Sequence, residues 1–585
     1  MDNHSAVRAR ARAALDGRIA ISATAFALAF AFAALLDRAG APEHLVAAMA
    51  PAFTLLALAG LGFLLHSMQV SFYYAAGRAV PPEWAGFANA AIIGALAAPM
   101  APALAGQSWT NGAPLGLLAG AGFALLGLTP LLRKAGVFSL AGFLAARFPA
   151  QGPRLGVIAA TAAASALIAL AGQCAASQVL VDLGAGRVFA AFTAAAATLL
   201  IAGPGGLSGV VWVGAAAAGV ALLGLGWPAL SFSLAPGSGF SFLDAADWRG
   251  AARLIEALRL FHPQSFDVDI TIAGGLALGV ATLAPVLAPA AALEDSGRAR
   301  IMGLPGFAWT IALILLVAAG AAAGAVALAG SSIGEAPERL PTAIYASSAS
   351  GAVVICGEIT PTPQAARKAC IAAGLSPGAP LRPQDVRVRG DLLAHLPAFA
   401  GMSAAVGGMV AAARLALALS LAAAGLHACA TALGHEALFH LRGGADLTSR
   451  RLALARTTLV AVAAVGAALS ARGAADAATL AAAAMATSAA IVAPVTFLAF
   501  WRRAGNRDAI LALGAGAASL FLFVWVDGEA TQQSLALASL AAAIIGLSLG
   551  AVSTLAATRP RPPGAAFLRR LLKGDGSVSA PDKGA

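Results

Sequence analysis

Residues 109–148 read WTNGAPLGLLAGAGFALLGLTPLLRKAGVFSLAGFLAARF. The stretch 112–132 within this segment contains no charged residue, and Arg133 and Lys134 follow it directly. A helix needs about 20 mostly apolar residues to cross the roughly 30 Å hydrocarbon layer of a bilayer, where only a helix satisfies its own backbone hydrogen bonds. Residues 112–132 therefore predict a membrane-spanning helix that ends in a basic loop.

The same pattern recurs along the chain of 585 residues, of which 60% are hydrophobic and 11% are charged. Soluble domains carry about 25% charged residues, so this composition excludes a soluble enzyme and a nucleic-acid-binding domain. The apolar runs predict an all-α polytopic membrane protein with about fourteen transmembrane helices. These runs lie near 19–36, 46–66, 84–105, 112–132, 155–183, 187–202, 208–226, 268–290, 304–329, 398–436, 452–470, 474–501, 508–526 and 533–557.

The basic residues predict the orientation of the chain. When the Arg-rich N-terminus is placed in the cytoplasm, the short loops that carry most of the Arg and Lys residues also fall on the cytoplasmic side, as membrane proteins prefer. This pattern predicts a multi-pass protein of a bacterial-type inner (plasma) membrane with both termini cytoplasmic. The basic tail 558–585 is expected to be disordered there.

Two long loops, 227–267 and 330–397, then lie outside the membrane. Residues 246–260 of the first loop predict a short amphipathic helix at the membrane surface. Cys356 and Cys370 lie in the second loop, where a disulfide and two free thiols both stay open as alternatives.

The sequence contains no soluble catalytic domain and no GxxxxGK[ST] phosphate-binding loop. No cluster of His, Asp and Glu residues falls within a predicted span. We therefore expect neither an enzyme nor an ATP-driven pump, and we expect no cofactor and no nucleic-acid partner. The expected partner at this point is the lipid bilayer.

Several motifs resemble those of the sodium:solute symporter family, in particular its acetate-permease-like (cation/acetate symporter) branch. The segment 109–148 is similar to the family's glycine-rich helix followed by P-x-L-R-x-x-G, and FYYAAGRAVPPEWAGFA at 72–88 resembles its entry into the first core helix. Further similar motifs follow in the family's order, namely A-G-Q at 171–173, GGLSG at 205–209, Pro285 in place of the proline of L-P-H, and LSLAAAGLHACATALGHE at 419–436.

The resemblance implies an APC/LeuT-type bundle of two five-helix repeats with inverted topology, in which interrupted helices form a central site. Pro99 and Pro285 stand in corresponding runs and agree with such interruptions, although simple kinks are the alternative. The implied divisions are 1–70 with two peripheral helices, a core at 71–501 with repeats near 84–226 and 268–501, two C-terminal helices at 502–557, and the tail 558–585.

The resemblance also implies a sodium site built from backbone carbonyls and hydroxyl groups. Its matching positions here are the hydroxyl of Ser420 and the backbones of Leu417, Ala91 and Gly94. The other oxygen ligands are replaced, because the family's second hydroxyl, acidic residue and histidine correspond to apolar side chains, namely Leu421, Ile92 and Val286. Since an ion without ligands is costly in hydrocarbon, we expect sodium binding to be weak or lost.

Three other polar residues in the spans are candidate solute-binding residues. Gln173 matches the family's A-G-Q motif, and Arg414 would attract an anionic group, although an Arg that packs or snorkels at the outer boundary is the alternative. His427 lies two turns beyond Ser420 on the same helix face and could relay protons in place of sodium. The alternative for His427 is a buried imidazole that is bonded to the backbone.

The leading functional prediction is secondary transport of a small organic solute, with a short monocarboxylate suggested by the acetate-permease resemblance. The alternative is a protein shaped like a transporter that acts as a membrane sensor or as a partner of another subunit, and a small membrane subunit is a candidate partner in either case. A membrane-embedded enzyme ranks third, because no catalytic cluster is evident.

Overall fold

The computed structural model describes residue 17 and residues 24–106, 112–260, 264–389, 391–437, 448–528, 531–557 and 565–572. The predicted cytoplasmic N-terminus at 1–16 and most of the predicted disordered tail lie outside the described residues, as do 18–23 of the first predicted span. Within that tail, the structure describes a helix, Ala565–Leu572. Its Leu568 and Leu571 are buried, because its apolar side chains lie on one face.

The chain is mainly helical, and its long helices follow the predicted spans closely. These are α1 (24–38), α2 (Glu43–Leu64), α3 (Pro82–Gly106), α4 (Gly112–Ala135), α5 (Gln151–Asp182), α6 (Arg187–Gly205), α7 (Leu207–Leu234), α8 (Phe266–Thr282 with Ala284–Ala292), α9 (Ser296–Ser332), α10 (Ala404–Ala437), α11 (Ser449–Arg472), α12 (Ala477–Phe500), α13 (Asn506–Asp527) and α14 (Gln532–Ala556).

Within the described residues, twelve helices are long and apolar enough to cross a membrane, or thirteen when the bent pair in α8 counts as one span. The remaining predicted span, 19–36, overlaps helix α1, whose start lies outside the described residues. The predicted all-α polytopic membrane fold is therefore confirmed.

Short elements connect the long helices. The helices are Val70–Ala75, Leu140–Arg147, Ala245–Ala257, Thr342–Ala349, Pro363–Ala372 and Leu392–Phe399. Strands β1 (Val353–Ile355) and β2 (Val386–Val388) form an antiparallel pair in which Val354 lies opposite Arg387. The helix Ala245–Ala257 falls where the sequence predicts an amphipathic helix at 246–260.

One predicted boundary is wrong, because the run 398–436 is not a single long helix. The helix Leu392–Phe399 ends first, Gly401 adopts a left-handed conformation with φ 64°, and α10 begins at Ala404. Glycine adopts this conformation without steric cost, so the chain turns here although the composition stays apolar.

The packing of α3 to α12 repeats with an offset of five helices. The contact of α3 with α9 has its counterpart in α8 with α4, and the contact of α7 with α10 has its counterpart in α12 with α5. Helices α5 and α10 correspond to each other in the two repeats and are in direct contact, and the same holds for α6 and α11. Because corresponding helices are five crossings apart, they run in opposite directions through the membrane. The bundle is thus a five-plus-five inverted repeat.

The central pair, α5 and α10, packs backbone against backbone. A β-carbon placed on Gly172 would lie 2.4 Å from the amide nitrogen of Ala422. A β-carbon placed on Gly425 would lie 2.5 Å from the amide nitrogen of Ala169. Small residues allow this approach, as is common where membrane helices associate.

The two ends of the bundle differ in character. One end, here called the disulfide face, carries the loop 333–403, in which Cys356 and Cys370 form a disulfide. The opposite end, here called the arginine-rich face, has short connections. Its described basic residues are Arg78, Arg133, Lys134, Arg147, Arg154, Arg298, Arg300, Arg450, Arg451, Arg456, Arg502, Arg503, Arg507 and Arg569.

Candidate functional site

Helix α8 is broken in the middle of the bundle. Its two parts, Phe266–Thr282 and Ala284–Ala292, meet at an angle of 52°. Leu283 between them has an extended backbone, with φ −70° and ψ 118°. Pro285 has no N–H group, so the carbonyl of Ala281 loses its helical donor. The predicted interruption at Pro285 is therefore confirmed.

The counterpart helix, α3, is interrupted closer to the disulfide face. It is α-helical over Pro82–Ala97 and tightens to a 3₁₀ turn at Ala98–Met100, around Pro99. Ala91 and Gly94 lie before this turn, and the carbonyl of Gly94 accepts a hydrogen bond from the N–H of Ala98. The positions predicted to offer backbone carbonyls to sodium are thus inside a continuous helix.

Ser420 faces the interior of the bundle from α10 and is 1% exposed. A β-carbon placed on Gly214 of α7 would lie 3.3 Å from the Ser420 Oγ and 3.1 Å from the Cβ of Ala88 on α3. The Ser420 hydroxyl has no hydrogen-bond partner among the described residues. Leu417, one turn earlier, is also buried. The hydroxyl therefore stands beside small apolar residues and not within a shell of oxygens.

Gln173 is directed to a different part of the bundle. A β-carbon placed on Gly466 of α11 would lie 1.7 Å from the Oε1 of Gln173, so the carboxamide packs on that glycine. On the next residue of α5, the Cys174 Sγ accepts a hydrogen bond from Ser470 of α11 at 3.3 Å. Gln173 thus lies at the α5–α11 interface.

Arg414 is paired with two carboxylates at the disulfide face. Its guanidinium lies 3.3 Å from Asp182 at the end of α5 and 3.0 Å from Asp391. Asp391 also accepts a hydrogen bond from the N–H of Leu393 and so caps the N-terminus of the helix Leu392–Phe399. Burial and the nearby Arg414 lower the pKa of His395 in that helix. Arg414 therefore fastens the loop to the bundle, and its charge is already balanced.

His427 lies in α10 on the arginine-rich side of Ser420 and is 2% exposed. Its Nε2 lies 3.4 Å from the Thr431 Oγ1, and its ring packs 5.7 Å from the ring of Tyr73 and 6.4 Å from that of Tyr74. Tyr73, Tyr74 and His427 close the interior at this end, where the adjoining cavity holds only about 20 Å³. Both tyrosines are fully buried.

The arginine-rich face is closed by further hydrogen bonds. Ser139 donates to the Glu436 carboxylate at the end of α10, at 2.7 Å. Arg133 at the end of α4 donates to the carbonyls of Leu293 and Glu294 after α8, at 2.6 and 2.5 Å. These contacts tie the two repeats together at this end.

The disulfide face, in contrast, has a cavity of about 300 Å³ between α3, α8, α12 and α14. Its deepest residues on α3 and α8 are Leu96 and Leu276. None of its lining residues is charged, and its polar ones are Gln264, Gln532, Gln533 and Ser539. This cavity cannot be read from the sequence, because its walls come from segments far apart in the chain and from α14, outside the repeats.

Asn89 is a second feature of the interior that matches none of the sequence motifs. It lies in α3, is fully buried, and neither atom of its carboxamide has a hydrogen-bond partner among the described residues. It is the one polar residue in the run 85–98, AGFANAAIIGALAA. A lone carboxamide in such a run was the signal that could have found it.

Within the described residues, no group of three or more His, Cys, Asp or Glu side chains is placed to hold a metal ion. The polar side chains that the spans place in the interior include the hydroxyl of Ser420 and the carboxamide of Asn89. Both groups can hold a solute through hydrogen bonds.

No protein-family model matches the chain, and no curated protein matches it in sequence. Among solved structures, the chain is similar to a Na⁺-coupled sialic acid symporter in a substrate-bound outward-open state. The two are 13% identical over 88% of this chain and 98% of the symporter, with a TM-score of 0.62. This likeness shows a shared fold, that of the LeuT-type transporters.

Two further solved structures match with lower TM-scores. One is a nucleobase-cation-symport-1 family transporter in a closed conformation, with 17% identity over 86% of this chain and 100% of that one and a TM-score of 0.43. The other is a mutant manganese transporter of Eremococcus coleocola, with 14% identity over 84% of this chain and 95% of that one and a TM-score of 0.44.

Proposed function

We propose that this protein is a secondary transporter that moves a small organic solute across the membrane by alternating access. The observation that carries the proposal is the one-sided cavity of about 300 Å³, which leads from the disulfide face toward the broken helix α8. The opposite face is closed around Tyr73, Tyr74 and His427. In an inverted-repeat bundle, rocking of the repeats would exchange the open and closed ends.

The size of the cavity supports a small solute, because binding pockets for small molecules begin near this volume. The resemblance to the acetate-permease branch supports a short monocarboxylate. A carboxylic acid of two to four carbon atoms is therefore the substrate class that we propose to test first.

We further propose that transport does not depend on sodium. Ser420 faces Gly214 and Ala88, and the carbonyl of Gly94 is engaged within the helix. A dehydrated cation at this depth would meet one hydroxyl instead of several oxygens, and an ion without ligands in hydrocarbon costs several kcal/mol.

Uptake into proteoliposomes tests both proposals. We expect labelled acetate or propionate to accumulate when all sodium is replaced by N-methyl-D-glucamine, at the rate seen with sodium. Liposomes without protein give the passive rate that is subtracted. Strong stimulation by sodium would contradict the coupling proposal and leave transport standing.

A non-transporting sensor or partner subunit is the second candidate, and the apolar surroundings of Ser420 favour it. Absence of uptake for a panel of small solutes, by protein that elutes as one folded species, would support this candidate instead of a transporter.

We also propose that the disulfide face lies outside the cytoplasm and that both termini are cytoplasmic in a bacterial-type inner membrane. A membrane-impermeant maleimide should label spheroplasts only after reduction, at Cys356 and Cys370, because the free Cys174 and Cys429 are buried. The double variant with serine at both disulfide positions is the control and should stay unlabelled. If labelling occurred only after the membranes were lysed, the disulfide face would lie in the cytoplasm and the proposed orientation would be wrong.

A further inference from the structure

We propose that Asn89 determines substrate specificity by binding an uncharged, hydrogen-bonding group of the solute at the level of the break in α8. The inference rests on the proposed function and adds to it a substrate class, namely small neutral molecules with a carboxyl or amide head group. A monocarboxylate would accordingly bind as the uncharged acid.

The first observation is the unsatisfied carboxamide itself. Asn89 is 0% exposed, and both its Oδ1 and its Nδ2 lack a partner among the described residues. An amide held in apolar surroundings without hydrogen bonds destabilises the fold. Most buried polar side chains are bonded, so an exception of this kind is often found where function requires it.

The second observation is the face of α3 on which Asn89 lies. Leu96 follows seven residues later, almost two full turns, so the two side chains share a face. Leu96 and Met100 line the cavity. The other faces of α3 are occupied, since Gly86 contacts Gly306 of α9 and Ala88 contacts Gly214 of α7. Asn89 therefore lies on the cavity-facing side of α3, deeper in the bundle than the residues that line the cavity.

The third observation is the depth of Asn89 relative to the break. On α3, which runs toward the disulfide face, Asn89 comes seven residues before Leu96. On α8, which runs away from that face, Leu283 comes seven residues after Leu276. Since helices rise 1.5 Å per residue, both positions are about 10 Å deeper than the end of the cavity. The segment after the break, Ala284–Leu287, packs against α3. The carboxamide thus stands at the level where α8 loses a helical hydrogen bond at the carbonyl of Ala281.

The charge of the surroundings selects the class of solute. No lining residue of the cavity is charged, and Arg414 is paired with Asp182 and Asp391. An ion that entered would lose its hydration without gaining a counter-charge. A carboxamide donates and accepts hydrogen bonds, and so do a protonated carboxyl group and a primary amide.

The test compares Asn89→Leu with Thr54→Val in the full-length protein. Thr54 is also fully buried with an unpartnered hydroxyl, but it lies on α2, outside the repeats. We expect Asn89→Leu to unfold at the same or a higher temperature, because it removes an unsatisfied polar group, and to lower uptake about tenfold. Thr54→Val should retain uptake.

Selectivity distinguishes recognition from a structural role. Acetamide should inhibit uptake by the wild-type protein more strongly than acetone, which cannot donate a hydrogen bond, and Asn89→Leu should abolish this difference. Asn89→Ser, a second variant with a shorter polar side chain, covers the case in which the leucine variant does not fold. Unchanged uptake and unchanged selectivity in both variants would overturn the inference.

Failure of the proposed function has a different signature. If the wild-type protein takes up no solute, thermal unfolding in the presence of acetamide still reports binding. Stabilisation of the wild type by acetamide, absent in Asn89→Leu, would support the site in a protein that senses instead of transports. Absence of stabilisation in both proteins would overturn the role of Asn89.

Discussion

Replacing Gly425 with alanine should leave little folded protein. The added β-carbon would lie 2.5 Å from the amide nitrogen of Ala169 and 2.8 Å from the carbonyl oxygen of Ser165. These are backbone atoms of α5, so no side chain can rotate away, and α5 must move as a whole. Overpacking a core costs on the order of 3 kcal/mol even where side chains can adjust.

The expected loss is large because α5 and α10 occupy the centre of the inverted repeat, where each contacts its own counterpart. Gly172 makes the reciprocal contact, because a β-carbon placed there would lie 2.4 Å from the amide nitrogen of Ala422, so Gly172→Ala should behave in the same way. The measurement is the yield of monodisperse protein in detergent and its unfolding temperature.

Gly203→Ala is the matched control for this prediction. Gly203 is also in a membrane helix, α6, but a β-carbon placed there meets no heavy atom within 4 Å. This variant should fold normally, since alanine favours helix more than glycine does. An unfolding temperature of Gly425→Ala equal to that of the wild type would mean that α5 and α10 are not in backbone contact.

Replacing Arg147 with methionine should cause the second large loss, at the arginine-rich face. Arg147 is 0% exposed, although it carries a charge. Its Nε donates to the carbonyl of Ala499 at 2.9 Å, and its Nη2 donates to those of Trp501 and Ala504 at 2.8 and 3.0 Å. Burial lowers the pKa of Arg147 to about 10, so the guanidinium stays protonated at neutral pH.

Methionine keeps the apolar stem of Arg147 but removes this donor from three carbonyls. That of Ala499 lies in the last turn of α12, and that of Trp501 keeps a hydrogen bond from the N–H of Ala504. Each unsatisfied buried carbonyl costs about 1–3 kcal/mol, so we expect a clear fall in the unfolding temperature. Arg147→Lys should be intermediate, because an ammonium group does not reproduce the planar fork of the guanidinium.

Arg154→Met serves as the control for Arg147→Met. Arg154 lies nearby at the start of α5, and its Nε donates to one carbonyl, that of Ala145, at 3.2 Å. A smaller loss is expected there. Equal losses in both variants would show that removal of any arginine from this face is harmful, independently of the three carbonyls.

The broad fold could be predicted from the sequence because a bilayer imposes a simple rule on each segment. A run such as 112–132 has to be helical in hydrocarbon wherever its neighbours lie, and the structure has α4 at Gly112–Ala135. The same rule failed at 398–436, because hydropathy does not register a turn whose residues are as apolar as the helix that follows. Hydropathy also does not tell whether an apolar or aromatic residue contacts lipid or protein. Tyr73, for example, is buried within the protein.

The residues of the site were harder to predict, because the presence of a polar residue in a span does not show which neighbouring helix its side chain faces. Gln173 and Ser420 both match family motifs, yet one packs on Gly466 of α11 and the other stands beside Gly214 of α7. Asn89 matches no family motif, although it lies on the same face of α3 as the residues that line the cavity.

The amino-acid sequence alone determined the membrane class and the approximate positions of the spans, and it marked Pro285 as a site of a break or a kink, because each follows from the hydrophobicity or backbone chemistry of one segment. Only the tertiary structure decided that Arg414 is held by Asp182 and Asp391, and that α3, α8, α12 and α14 enclose an uncharged cavity. These features depend on helix rotation and on contacts between residues hundreds of positions apart. Packing of small side chains sets that geometry, and the pattern within any one helix does not contain it.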